Sequence, residues 1–271
     1  MTETLNSTSI VVSSCDKFQD VWNPFFTLFF RYWPDCPFPI FLIANRQSYP
    51  DDRVKTILTD EDRGWASNLR LVLDKVPTPY VLYLQEDYLL EGKADTATIL
   101  ALAAYLSQHR AGCLRLYPSP GPDLPCADNN HLGVISKTAP YRVSLQAALW
   151  DKEVLRSLLV DGESGWDMEI KGTERSRSQD VPFFSVKRDP ATDQVTNLAL
   201  PYFCTAIVRG RWVRQAVKLC QSEGLIIDAR RRPIETAWQL FCRQSRLLSW
   251  ARQTLRPALG RMLGFKKSSN S

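Results

Sequence analysis

Between residues 9 and 87, short apolar runs rich in β-branched and aromatic residues alternate with longer stretches of helical periodicity. The runs "SIVVSSCD" (9–16), "FPIFLIAN" (38–45) and "YVLYLQED" (80–87) read as buried strands, and "VKTILT" (54–59) as a weaker strand nearer a sheet edge. Between them, "VWNPFFTLFFRYW" suits a buried helix starting near Asn23, and "WASNLRLVLDKV" (65–76) sets Leu69, Leu71, Val72, Leu73 and Val76 roughly along one side of another. Alternation of this kind predicts an α/β layer with a mixed, mostly parallel central sheet flanked by helices. Ligands of such sheets gather beyond the C-terminal ends of the strands. Ser13, Ser14, Cys15, Asp16, Asn45, Glu86 and Asp87 all stand at such ends.

Downstream, "ADTATILALAAYLSQH" (94–109) predicts a helix, and "CLRLYPSPGP" (113–122) a strand entering a proline-stiffened loop. Residues 141–159 read as a strand to about Trp150 followed by a helix, and 162–176 as a helix start rich in carboxylates. The segment 178–194 reads as a loop, 201–212 as one strand, and 213–225 as a helix ended by Gly224. No internal repeat or low-complexity linker interrupts the chain. The expected organisation is one domain over residues 1–228 and a basic, amphipathic helical extension over 229–271.

Charge also divides unevenly along the chain. From Arg209 onward there are 14 Lys and Arg against three acids, leaving 20 bases and 26 acids before it. A basic extension carrying Trp238, Phe241 and Trp250 suits an anionic membrane surface, and equally a helix packed on the body with a basic outer face. No nucleic-acid motif accompanies the charge, so no nucleic-acid partner is expected. Apolar runs are far shorter than the roughly 20 residues needed to span a bilayer. The N-terminal stretch has no basic region leading into an apolar one, so no signal peptide is expected. Seven scattered cysteines, none spaced C-x-x-C, suit reduced thiols in a cytoplasm rather than a disulfide framework or a zinc site.

The pair Glu86-Asp87 is the most telling constellation. Two carboxylates at a central strand end, inside a cleft, are costly unless a cation meets them. Mg²⁺ and Mn²⁺ are commonly shared between one or two carboxylates and a phosphate, although solvated acids in a turn would look the same. Asp167 and Glu169 could act as acid–base groups or favour a helix dipole. Trp150 and Trp166 could offer flat apolar surface to a ligand, or belong to the core. Arg209 and Arg211, and separately Arg175 and Arg177, could oppose a diphosphate. Ser13, Ser14 and Asp16 could serve a ligand at the strand end or cap the next helix.

In order along the chain, "VVSSCDKFQDVW", "YVLYLQEDYLL", "SLQAALWDKEVL", "GWDMEIKGTERS" and "VRGRW" resemble bacterial glycosyltransferases of the GT-A fold that build cell-surface polysaccharide. The resemblance covers about residues 9–228 and implies a GT-A-like, Rossmann-like fold. It implies a nucleoside-diphosphate sugar donor in the N-terminal half and a saccharide or glycolipid acceptor in the C-terminal half; the basic extension would place the chain at the inner face of the cytoplasmic membrane. By the same resemblance, Ser13, Ser14, Asp16, Asn45, Glu86, Asp87, Arg209 and Arg211 would bind the donor. Gln146, Trp150, Trp166 and Arg175 would bind the acceptor, and Glu169, with Asp167, would do the acid–base work. Asp87 matches the last carboxylate of the family's metal-binding Asp-x-Asp, and with Glu86 would hold Mn²⁺ or Mg²⁺. Gln85 stands where the first carboxylate would be, which leaves metal dependence open. Two other readings stay open: a nucleotidyltransferase activating a sugar phosphate, and a non-catalytic assembly protein with a vestigial nucleotide-sugar site. The former would normally show a glycine-rich phosphate loop, and "SSCDKFQD" has no glycine.

Overall fold

The computed structural model describes residues 7–196 and 198–240. Residues through Thr205 form one compact unit and those from Ala206 a second.

In the first unit, β1 (Thr8–Ser13), β2 (Ile40–Ala44), β3 (Val54–Leu58) and β4 (Tyr80–Gln85) lie parallel in the order β3-β2-β1-β4. Every residue of β1 and β2 is buried, as expected for parallel strands covered on both faces. The expected edge position of the 54–59 strand is what the structure shows. The sheet continues through β9 (Ala148–Asp151), β6 (Cys113–Arg115), β10 (Phe183–Val186), β8 (Leu132–Val134) and β7 (Leu124–Pro125). Only β9 and β8 run against the others. The sheet is mixed and mostly parallel, as the strand–helix alternation predicts.

Helix α1 (Gln19–Tyr32) follows a short turn at Asp16–Phe18, α2 (Trp65–Lys75) follows β3, and α3 (Thr96–Gln108) precedes β6. A short pair, β5 (Leu89–Leu90) and β11 (Tyr202–Phe203), forms a separate ribbon. Helix α4 (Lys152–Leu158) follows β9 directly. One face of the sheet buries Val11, Phe41, Ile43, Val81 and Tyr83 with Leu69, Val72 and Leu73 of α2 and Leu155 and Leu158 of α4. Each such side chain contributes about 1.5–3 kcal/mol on leaving water, so the strand tips stand on a rigid base.

Four sequence expectations are corrected. The aromatic helix begins at Gln19 rather than near Asn23, with Pro24 inside it. An internal proline costs about 3 kcal/mol, and burial of Val21, Trp22, Phe25, Phe26 and Phe29 outweighs it. The 178–194 loop contains β10, a central strand paired with β6, because Pro182 and flanking charges hide a four-residue apolar run. The strand from residue 141 starts only at Ala148, and residues 141–147 form an irregular crosspiece. The single strand at 201–212 is three short ones, because Arg209 (φ 51°) and Gly210 (φ 72°) reverse the chain.

That reversal lies in the second unit, where β12 (Ile207–Val208) and β13 (Arg211–Trp212) form a tight hairpin. Helix α5 (Arg214–Ser222) follows, and Gly224 in the left-handed region (φ 74°) ends it as expected. Glu235 caps the start of α5 by accepting the Arg214 N–H at 3.0 Å. Most of the basic extension, residues 241–271, lies outside the described residues, and the membrane-surface expectation falls there. No helix among the described residues is long and apolar enough to cross a membrane.

Candidate functional site

The sheet order changes direction at β1: β2 lies on one side of it and β4 on the other. A crevice opens at such a switch point, and the register sets Ser13 directly beside Gln85 there. Asp16 and Asn45 tie the two neighbouring tips together. The Asp16 carboxylate accepts the N–H groups of Asn45 (2.9 Å) and Arg46 (3.0 Å), and the Asp16 N–H donates to Asn45 Oδ1 (3.2 Å). Asn45 Nδ2 then donates to Thr59 Oγ1 at 3.0 Å. Ser14 Oγ accepts the indole N–H of Trp22 at 2.7 Å. The Ser13 side chain bonds the Tyr83 hydroxyl, which also accepts from Trp65 Nε1 and Gln85 Nε2, both at 3.2 Å. Gln85 therefore turns its amide back onto Tyr83, whose phenol burial pushes up.

Beyond β4 the chain turns tightly, with the Tyr88 N–H donating to the Gln85 carbonyl at 3.1 Å. Both acids in this turn, Glu86 and Asp87, are 7% exposed. Pairing of β5 with β11 brings residues 204 and 205 alongside, so that Thr205 Oγ1 donates to Asp87 Oδ2 at 2.7 Å. Tyr88 and Tyr202 stack at 4.9 Å. The Cys204 thiol donates to Gln146 Oε1 at 3.2 Å. Burial raises its pKa above the ordinary value against that hydrogen bond, and the charges of Asp87 and Glu169 add to the rise. A thiol held protonated in this way is a poor nucleophile. Its value here is as a marker, because it lies within electrostatic reach of both carboxylates.

The crosspiece completes the cluster. Gln146 Oε1 also accepts the Tyr202 hydroxyl at 2.7 Å, while that hydroxyl accepts the Ala147 N–H at 3.1 Å. Tyr88 donates to the Leu145 carbonyl at 2.8 Å. The Leu145 N–H donates to Glu169 Oε1 at 2.9 Å. Glu169 sits in a π-helical turn, Met168–Gly172, between the short helical pieces Gly165–Asp167 and Thr173–Ser176. Such turns interrupt the helical repeat and are frequent at functional sites. Asp87, Gln146 and Glu169 thus share one neighbourhood, linked through Cys204.

Behind the crosspiece lies Arg115, fully buried on β6, which the sequence reading missed. Its guanidinium donates to the carbonyls of Pro120 (2.5 Å), Tyr141 (2.9 Å) and Arg142 (3.1 Å), and no described carboxylate pairs with it. Burial lowers its pKa, while the charges of Cys113 and Glu169 oppose that. An arginine inside the apolar run "CLRLY" is the signal that could have found it, because a buried cation needs a reason. Tyr202, Cys204 and Thr205 were missed as well.

Three other expected site residues, Trp150, Asp167 and Arg175, are engaged within the first unit. Trp150 is 1% exposed and packs edge-on against Phe183 at 5.7 Å, so its expected acceptor role is corrected: a fully buried ring offers no face to a sugar. Asp167 closes a capping box with Ser164 and pairs with Lys171 at 2.9 Å. Arg175 forks onto both Glu163 oxygens (3.1 and 2.6 Å) and onto the Leu158 carbonyl, which are bonds within the fold. Trp166 is 75% exposed, on the helical piece just before Glu169. Arg209 and Arg211 belong to the hairpin of the second unit. Among the described residues no group of three or more His, Cys, Asp or Glu side chains could hold a metal by itself. Glu86 and Asp87 fit the smaller requirement of an Mg²⁺ or Mn²⁺ ion that takes one or two carboxylates and completes its shell with water and phosphate.

No family model and no curated protein matches the chain. Among solved structures it is similar to residues 1–349 of Staphylococcus aureus TarS, at 12% identity and a TM-score of 0.47, covering 74% of this chain and 60% of that one. The same fragment in complex with UDP-GlcNAc matches at 10% identity and a TM-score of 0.43, covering 70% and 62%. A CMP:2-keto-3-deoxy-manno-octonic acid synthetase complexed with CTP matches at 13% identity and a TM-score of 0.37, covering 66% and 88%. The chain spans about 60% of the length of the TarS fragment. The functional reading therefore rests on the side chains of the cluster.

Proposed function

We propose that this chain is a glycosyltransferase that moves a sugar from a nucleoside-diphosphate sugar to a hydroxyl of a lipid-linked saccharide, in the assembly of bacterial surface polysaccharide. One observation carries the reading: the Glu86-Asp87 turn and Glu169, 82 positions apart, meet through Cys204 and Gln146 at the open end of the sheet. One carboxylate pair at the strand tip and one opposite suit a reaction with a polyanionic leaving group and a weak nucleophile.

Glu86 and Asp87 would hold a divalent ion, which when bound supplies positive charge to the diphosphate. Thr205 fixes the Asp87 carboxylate by its 2.7 Å bond. Glu169 is anchored through Oε1 to the Leu145 N–H, and Oε2 makes no hydrogen bond among the described residues. An anchored carboxylate with one oxygen to offer is built to take a proton from the acceptor hydroxyl. As that oxygen attacks the anomeric carbon, its proton passes to Glu169, and the bond to the nucleoside diphosphate breaks with its electron pair leaving on phosphate. A general base of this kind is worth about 10²- to 10⁴-fold. Gln146 has its amide oxygen engaged by Tyr202 and Cys204, so its NH₂ is the end presented to an acceptor oxygen. Trp166 would offer its exposed ring to a sugar face.

The test is a titration of the purified chain with a panel of nucleoside-diphosphate sugars, with and without Mn²⁺, read by thermal stabilisation and donor hydrolysis. Stabilisation by one nucleotide class with slow release of its diphosphate supports the reading. No binding under any condition supports a non-catalytic assembly role. Pyrophosphate release from a nucleoside triphosphate and a sugar phosphate would replace it with nucleotidyl transfer.

A further inference from the structure

A cavity lies in the first unit, outside the carboxylate cluster. It is an open cleft of about 460 Å³ whose lining includes Pro118, Pro122 and Leu124 from the proline-rich loop and Lys187, Arg188 and Pro190 from the segment after β10. The loop comes close enough to form it because residue 133 is glycine. A Cβ there would meet Pro122 Cγ at 2.5 Å and the Leu124 carbonyl at 2.9 Å.

The cleft pairs stiff apolar surface with cations that the fold leaves largely available. Lys187 Nζ makes no hydrogen bond or ion pair among the described residues. Arg188 donates to the Asp193 carbonyl at 2.8 Å, and its nearest carboxylate oxygen, on the 88% exposed Asp193 side chain, is 3.9 Å away. A pair that open to water is strongly screened. The one acid in the lining, Asp123, is engaged by the Ser136 N–H (2.7 Å) and hydroxyl (2.6 Å). The cleft also connects to the carboxylate cluster. Arg188 stands over the Tyr117 ring at 5.8 Å, Tyr117 lies 5.4 Å from the Tyr202 ring, and the Tyr202 hydroxyl donates to Gln146.

We propose that this cleft is a subsite for an acidic saccharide residue, with the proline and leucine faces taking the ring and Lys187 and Arg188 taking a carboxylate or phosphate on it. Two aromatic rings separate Arg188 from Gln146, so the acidic group belongs to a residue neighbouring the one that reacts. That placement of the reacting end rests on the transferase reading. The preference of the cleft for an acidic saccharide stands without it.

Binding of three tetrasaccharides to the full chain tests the proposal: tetragalacturonate, a phosphorylated maltotetraose, and neutral maltotetraose. At low ionic strength one or both acidic probes should bind about tenfold tighter than the neutral one, and which of the two wins identifies the acidic group. The preference should vanish near 1 M salt, where the Debye length is about 3 Å. It should vanish also in Lys187→Ala/Arg188→Ala, whose thermal unfolding is measured alongside to show that it folds. Equal binding of acidic and neutral probes, no binding of any, or a preference that survives in the folded double variant overturns the proposal. UDP and other nucleotides titrated into the same samples report on the donor site separately. Absent nucleotide binding with an intact acidic preference removes the transferase reading and leaves the subsite, and the converse result removes the subsite alone.

Discussion

The tips of β1 and β2 and the tip of β4 are built from similar polar residues and use them in opposite ways. At the first, the Asp16 carboxylate accepts three backbone N–H groups, from Asn45, Arg46 and Gln47, and Asn45 is fixed in turn to Thr59. Charge there is matched by the fold itself, and the stitch holds two strand ends in register. At the second, Glu86 and Asp87 are buried to the same degree as Asn45, yet Asp87 meets a neutral hydroxyl and shares its surroundings with a second carboxylate, Glu169. The first tip fastens neighbouring strand ends to each other, whereas the second brings together acids from distant parts of the chain.

The largest expected effect lies on the β4 side. Glu169→Gln should keep the hydrogen bond from the Leu145 N–H, since an amide oxygen accepts equally well, and lose the base. Transfer should fall about 10²- to 10⁴-fold, with donor binding by calorimetry unchanged. Full transfer by this variant would remove Glu169 from the chemistry and with it one half of the contrast. Arg115→Met should come next, and should act on stability. It leaves three carbonyls, that of Arg142 buried, without their donor, a loss partly offset by removing a buried charge, for a net of about 2–4 kcal/mol in urea unfolding. A variant as stable as the parent would show that the crosspiece does not hang on Arg115.

Much of this contrast can be read in the chain, and the limits of that reading are physical. Strands β1, β2 and β4 are legible because parallel strands covered on both faces must be apolar throughout. Strand β10 is equally buried but has only four residues behind Pro182, too short a run to show a period. Asp87 and Glu169 stand out as acids in unusual places. Their companions do not, because Thr205 reaches Asp87 across 118 positions through the β5–β11 ribbon, and no local pattern encodes that pairing. Trp150 misleads because an aromatic residue at the end of a strand reads the same in a core as in a cleft. Asp16 is the closest case: as helix cap or as ribose ligand its local sequence is identical, and the structure shows it bonded to residues 45–47 rather than capping the helix that follows.

Two smaller effects sharpen the comparison. Asp16→Ala should lower stability by about 1–2 kcal/mol, in the range of a lost capping carboxylate, while nucleotide binding changes little. Abolished nucleotide binding at unchanged stability would mean that the stitched tip is the ligand site after all. The smallest effect concerns Asp167, whose carboxyl is held well below its ordinary value by the bond from Ser164 and by Lys171. A carboxylate with a depressed folded pKa contributes stability above its unfolded value, about 3.9. That contribution is lost as the pH falls from there through the folded value. Asp167→Asn should therefore leave unfolding at neutral pH slightly easier and flatten the acid limb of the stability curve below about pH 4. Because both side chains of the pair are open to water, the interaction is screened and the change should be small. A large loss of transfer at neutral pH in this variant, with folding intact, would instead move Asp167 from the helix start into the reaction alongside Glu169.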